Sequence, residues 1–320
     1  MKRQAIYILF FTLAVIYSAS ADRQINSIER DYFFYISEND QFIETIETTL
    51  IPAREKLVNL LQDSLSYKPK IYIENDIQSF RELIGTAFPD WGAAAALPYR
   101  EMIAIKSPAH FRLGKQLSEL VQHEYAHLAL HDRLRMQEPP RWVDEGVAMY
   151  ISAEWGWEAN FAMSRAVVFR SIVPLHEIEE LNLFPSGRAQ TAYAQSYLAV
   201  KYLLDEYGIE AFNYFLDAIK SRRSFDDAFL MSIGSTYKEF EEEYFDFLNK
   251  RYNIMTLFGD LYFLWIFLAA VVVIGFILRI RKRRKFYKKW EDEERLQSTD
   301  FDYGDPDNPE QIDDEDKPWA

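Results

Sequence analysis

Residues 120 to 130 read LVQHEYAHLAL: two of the chain's five histidines stand four positions apart in an apolar run, with a glutamate directly after the first. In a helix, residues at i and i+4 share one face about 6 Å apart, so His123 and His127 can aim their imidazoles at one point. That is the separation at which two ligands share one zinc ion. Glu124 is turned by about 100° from His123, which lets it reach a metal-bound water without ligating the metal, the position of a general base. The pattern H-E-x-x-H arises by chance in roughly one 300-residue chain in a hundred, and an ordinary helix with satisfied histidines would spell it equally well. The apolar surroundings favour ligands, because two neighbouring imidazoles are costly to bury unless paired or bound to metal.

A catalytic zinc needs a third protein ligand and an open fourth position. The chain has no cysteine, which excludes thiolate sites, a cysteine nucleophile and a disulfide framework together. The candidates downstream are His131, Asp132, Asp144 and Glu145. Three imidazoles along one straight helix rotate progressively away from a single point, so His131 is expected at the surface. Glu145 lies in PPRWVDEGVAMY, a segment with prolines at a helix entrance that follows a turn long enough to fold back on the first helix.

HEYAH followed at short range by PRWVDEGVAMY resembles the gluzincin metallopeptidases, specifically the peptidase MA-like group, whose pattern is HExxH, then Pro-x-Trp, then Glu-Gly-x-Ala-x-Tyr. The resemblance implies a thermolysin-like catalytic core holding one Zn2+ per chain on His123, His127 and Glu145. It also implies that Glu124 is the catalytic base, that Trp142 packs behind the site and that Asp144 is a neighbour rather than a ligand. Asp144 is otherwise read as a first-turn carboxylate that complements the helix dipole. The family's substrate-lining edge strand would be EMIAIKSP, and its later Tyr-Ala-Gln-Ser segment is matched by Tyr193 to Ser196. In related gluzincins a tyrosine or histidine beyond the zinc helices stabilises the oxyanion; Tyr193 is the candidate, with Tyr197 in reserve. Two departures matter. Seventeen residues separate His127 from Glu145, one fewer than in the aminopeptidase branch, and WGAAAALPYREM stands where that branch grips a free amine with Gly-x-Met-x-Asn.

Outward from the motif, DYFFYIS (31–37) and KIYIE (70–74) are aromatic and β-branched runs that predict strands, as does EMIAIKSP. Between the first two, residues 40–65 carry apolar residues at helical spacing, with a bend expected at Pro52. IQSFRELIG predicts a helix stopped by Gly85. From Leu113 the pattern is helical: 113–134, 139–155, 189–208, 209–221, 224–233 and 236–252. The fold class is therefore α+β, a small N-terminal mixed sheet leading into a mainly helical half, in one domain over residues 22–255.

Residues 1–21 run from Lys2 and Arg3 through an apolar stretch to Ala19-Ser20-Ala21 and read as a signal peptide, with an uncleaved anchor as the alternative. Leu261 to Leu278 is an uncharged run long enough for a ~30 Å hydrocarbon core, which predicts a transmembrane helix over 257–280. RIRKRRKFYKK follows it and marks the cytoplasmic side, so the domain before it faces outward, on the periplasmic or extracellular side. Residues 281–320 combine this basic anchor with an acidic tail, read as disordered after Trp290. A net charge of −14 disfavours nucleic acid as a partner. The expected partners are a peptide or protein substrate and the membrane, and an exported chain without cysteine fits a bacterial envelope. A non-catalytic, membrane-tethered binding or assembly module on the same scaffold is the competing reading. An intramembrane protease fails on placement, since HEYAH lies more than a hundred residues from Leu261.

Overall fold

A computed structural model describes residues 25–85 and 92–296. The expected signal peptide and the end of the acidic tail lie outside the described residues. The chain divides into one compact unit ending at Asp260 and a second beginning at Leu261.

The first unit opens with a five-stranded mixed sheet: β1 (Asn26–Glu29), β2 (Phe34–Ser37), β3 (Lys70–Glu74), β4 (Ala94–Leu97) and β5 (Met102–Lys106), in the order β1-β2-β3-β5-β4. Strands β2, β3 and β5 run parallel, and β1 and β4 close the edges antiparallel. Parallel neighbours need crossovers, which α1 (Ile43–Leu61) and α2 (Ile77–Ile84) supply. In α1, Ile43, Ile46, Leu50, Ala53, Leu57 and Leu60 recur at the spacing of one face and are buried. The helix runs through Pro52, which sits on the exposed side, where water can take the carbonyl it leaves unpaired.

One expectation about the sheet is corrected. EMIAIKSP is interior: every residue of β5 is buried, flanked by β3 and β4. The edge strand beside the motif helix is β4, from the AAAA run of WGAAAALPYREM. Alanine is depleted in strands and shows no alternation, so nothing local marked it. The polar edge strand β1 escaped detection for a similar reason.

The rest of this unit is helical: α3 (Leu117–Arg133), α4 (Arg141–Ser152), α5 (Trp157–Val168), α6 (Ser186–Lys220), α7 (Phe225–Ile233), α8 (Tyr237–Arg251) and α9 (Ile254–Asp260), with a 3-10 stretch at Leu175–Leu183. The two helices expected at 189–208 and 209–221 are the halves of α6, broken at Gly208, whose φ of 85° suits glycine. Trp142 of α4 is buried, 6.3 Å from the ring of Phe215 in α6 and 6.0 Å from that of Phe240 in α8, with near-parallel planes. Arg133, at the end of α3, pairs with Asp217 at 2.8 Å and donates to the carbonyl of Leu61, fastening α3 to α6 and α1.

The second unit is described by α10 (Tyr262–Leu296), the one helix among the described residues long and apolar enough to cross a membrane, with a mean hydropathy of 2.3 in its best window. Two details differ from expectation. The apolar helix starts at Tyr262, after the separate α9, rather than at 257. The basic run and the first acidic residues continue it to Leu296, so Glu291–Leu296 is helical rather than disordered. Lys, Arg and Glu are good helix formers, and the Lys289–Glu293 pair at 3.4 Å adds support one turn apart.

Candidate metal centre

The motif helix α3 lies between the sheet and α4, and its ligand face turns towards α4. The rings of His123 and His127 are 4.9 Å apart, and each side chain is 12% exposed. Beyond α3, Arg135 and Met136 take left-handed φ values of 51° and 58°, and Pro139 and Pro140 lead into α4, which folds back on α3. This brings Glu145 Oε2 to 3.3 Å from His123 Nε2 and 3.9 Å from His127 Nε2. One ligand atom from each of the three residues lies within 4.8 Å of the others, so the cluster can hold a metal ion.

The donor set fits such an ion. Glu145 Oε2 is buried with no aligned hydrogen bond and only the approach of the two imidazoles, an environment in which a cation shared by the three groups would compensate the carboxylate oxygen. Two imidazole nitrogens and one carboxylate oxygen are one of the donor sets found in metal sites without cysteine.

Each ligand has a second partner on the side away from this point. His127 Nδ1 is 2.6 Å from Asp144 Oδ1. Glu145 Oε1 is 2.6 Å from an Arg141 guanidinium nitrogen, and the other terminal nitrogen of Arg141 is 3.7 Å from Asp144 Oδ2. His123 Nδ1 is 3.0 Å from Glu154 Oε1, whose carboxylate also pairs with Lys115 and accepts from Ser152 Oγ at 3.1 Å. Burial alone would lower the pKa of His123, but Glu145 and Glu154 outweigh it and push it up to about 10; Asp144 and Glu145 likewise lift His127 against burial. Burial works to raise the carboxylates, yet the histidines hold Asp144 and Glu145 below their ordinary range and Glu154 down to about 2.

The other singled-out residues fall as follows. Glu124 Oε2 accepts a 2.7 Å hydrogen bond from the backbone N–H of Ala96 in β4, beside the ligand face rather than on it. Tyr193 is half-buried; burial raises its hydroxyl pKa, Glu145 and Glu124 add to the rise, and Arg141 opposes it, which puts the phenol among the site's charges. Tyr197, one turn on, stacks on Trp155 at 4.7 Å and faces Tyr150. Asp144 stands outside the His123–His127–Glu145 cluster and holds His127 Nδ1, so it does more than complement the helix dipole. His131 is not the surface residue expected: its side chain is 14% exposed and its Nε2 is 3.6 Å from Asp144 Oδ1. The chain's two remaining histidines, His110 and His176, are exposed and lie outside the cluster.

The Tyr193–Ser196 segment divides its work. Gln195 is fully buried and bonds both the N–H and the carbonyl of Val173, while the carbonyl of Ser196 lies against Gly146. A Cβ on Gly146 would stand 2.4 Å from that oxygen, so the residue after Glu145 must be glycine for α4 and α6 to meet this closely.

Sequence reading missed Arg141, Glu154 and Lys115. Ligating histidines commonly give their other nitrogen to a carboxylate, but Glu154 lies beyond the end of α4, where helical spacing no longer locates it.

A family model described as Peptidase MA superfamily matches residues 53–250, more than half of the chain and the whole of the site. Among curated proteins, none matches the chain.

Proposed function

Since the chain belongs to the Peptidase MA superfamily, we propose that it is a zinc-dependent metallopeptidase tethered to a membrane by α10. The observation that carries this reading is the convergence of His123 Nε2, His127 Nε2 and the buried Glu145 Oε2 on one point. These three would hold one zinc ion. When bound, zinc supplies Lewis acidity, acidifying a water and polarising the scissile carbonyl.

The protein's own groups do the rest. Glu124 accepts the proton of the attacking water and passes it to the leaving amine. The Ala96 N–H holds one oxygen of Glu124 in place and leaves the other for the proton. Tyr193, kept protonated by its raised pKa, donates a hydrogen bond to the developing oxyanion. Asp144 sets the ring of His127, and Arg141 holds the far oxygen of Glu145. The substrate is a peptide or protein, the domain spans residues 22–255, and it faces the extracytoplasmic side with the C-terminus in the cytoplasm.

Replacing Glu124 with Gln is expected to leave zinc content at one per chain and to abolish hydrolysis of a responsive peptide. Wild-type rates in this variant would refute the mechanism. A purified chain that takes up no zinc and gains no melting temperature from it would instead favour the non-catalytic binding module.

A further inference from the structure

His127 and Glu145 each have a close charged partner on the side away from the metal point, and His123 Nδ1 is a buried nitrogen whose charged partner stands close without an aligned hydrogen bond. The acceptor in reach is Glu154 Oε1 at 3.0 Å. The chain places it there by a local device. Helix α4 stops at Ser152, Ala153 takes a left-handed φ of 56°, and the N–H of Glu154 returns to the carbonyl of Met149. The turn folds the Glu154 side chain inward to 8% exposure, and its two oxygens are then divided. Oε1 faces His123 and accepts from Ser152 Oγ, and Oε2 pairs with Lys115 in the segment between β5 and α3.

We propose that Glu154, steadied by Lys115, is the positioning residue for His123: it accepts a hydrogen bond from Nδ1–H, which keeps that proton on Nδ1 and leaves Nε2 as the ligating nitrogen. The two nitrogens lie on opposite edges of the ring, so Glu154 does not share the ion. It fixes the tautomer and orientation and raises the basicity of the ligating nitrogen. Lys115 lies between the last sheet strand and the motif helix, so this path ties the segment entering α3 to the metal centre. The inference rests on the zinc reading proposed above.

The test uses the full chain in detergent and measures affinity for Zn2+ by competition with a chromogenic chelator, with the absorption of bound Co2+ as the ligand-field signature. Glu154→Gln is expected to weaken Zn2+ binding about 10- to 100-fold and to shift the Co2+ bands. Lys115→Met should weaken it by less, and the double variant should bind no more weakly than Glu154→Gln alone. A purely structural tie at the end of α4 would lower the metal-free melting temperature while leaving Zn2+ affinity and Co2+ bands unchanged, and that result overturns the proposal. Should Glu154→Gln fail to fold, the half-exposed Lys115 carries the test: unchanged Zn2+ affinity and Co2+ bands in Lys115→Met overturn the relay. Absence of saturable Zn2+ binding in the wild-type chain overturns the zinc reading and this inference together.

Discussion

Gly146→Ala adds one carbon at the tightest point between α4 and α6. The new Cβ would lie 2.4 Å from the carbonyl oxygen of Ser196 and 2.5 Å from a methyl of Val200. Val200 can turn its side chain; the carbonyl belongs to the backbone of α6 and cannot. Ordinary contact at about 3.5 Å requires the helices to part by about 1 Å. Overpacking of this kind costs about 1–3 kcal/mol, and the upper half applies because the obstacle is main chain. Alanine in place of glycine in a helix returns about 1 kcal/mol. The net loss is therefore about 1–2 kcal/mol, which in a domain of this size lowers Tm by roughly 2–8 °C. The same displacement moves the adjacent Glu145, and metal–ligand distances tolerate only about 0.2 Å. Zinc affinity should fall at least about tenfold. Thermal melts of the metal-free and zinc-loaded protein, with chelator competition, read both effects. A higher Tm with unchanged zinc affinity would mean that helix propensity dominates and that the close approach of α4 and α6 is not what demands glycine.

Trp142→Ala removes the ring packed between Phe215 and Phe240 and should destabilise by about 3–5 kcal/mol in denaturant titration; a loss under about 1 kcal/mol would show that α4 is held mainly by other contacts. Thr236→Ala breaks the capping box with Glu239 at the start of α8 and should cost about 1 kcal/mol, with no change in zinc affinity because α8 contributes no ligand. Burial holds the hydroxyls of Tyr35, Tyr193 and Tyr244 above their ordinary value and pushes Tyr125 up to about 12. A folded pKa above the unfolded value of about 10 means that this stability is complete below pH ~10 and is lost as pH rises beyond it. Tm should accordingly fall above pH ~10, with the tyrosinate absorbance of these buried rings appearing only on unfolding. Full tyrosine ionisation near pH 10 in a still-folded protein would contradict the burial of these rings.

Within one helix or strand, position along the chain is position in space. For that reason His123, His127 and Glu124 could be assigned their faces from spacing, β3 and the two halves of α6 could be bounded from residue type and Gly208, and α10 could be recognised from its apolar run. The third candidate ligand was different: spacing narrowed it to four residues, and only the likeness of PRWVDEGVAMY to a known pattern selected Glu145. Contacts across elements obey no periodicity. The AAAA run had no β propensity of its own and became the edge strand over Glu124 because β5 was there to pair with it. Asp144, Arg141 and Glu154 look like ordinary surface charges in the sequence. They became the outer partners of the ligands because a left-handed turn before α4 and another after it bring the two ends of that helix around the histidines, and burial then requires every charge there to find its opposite.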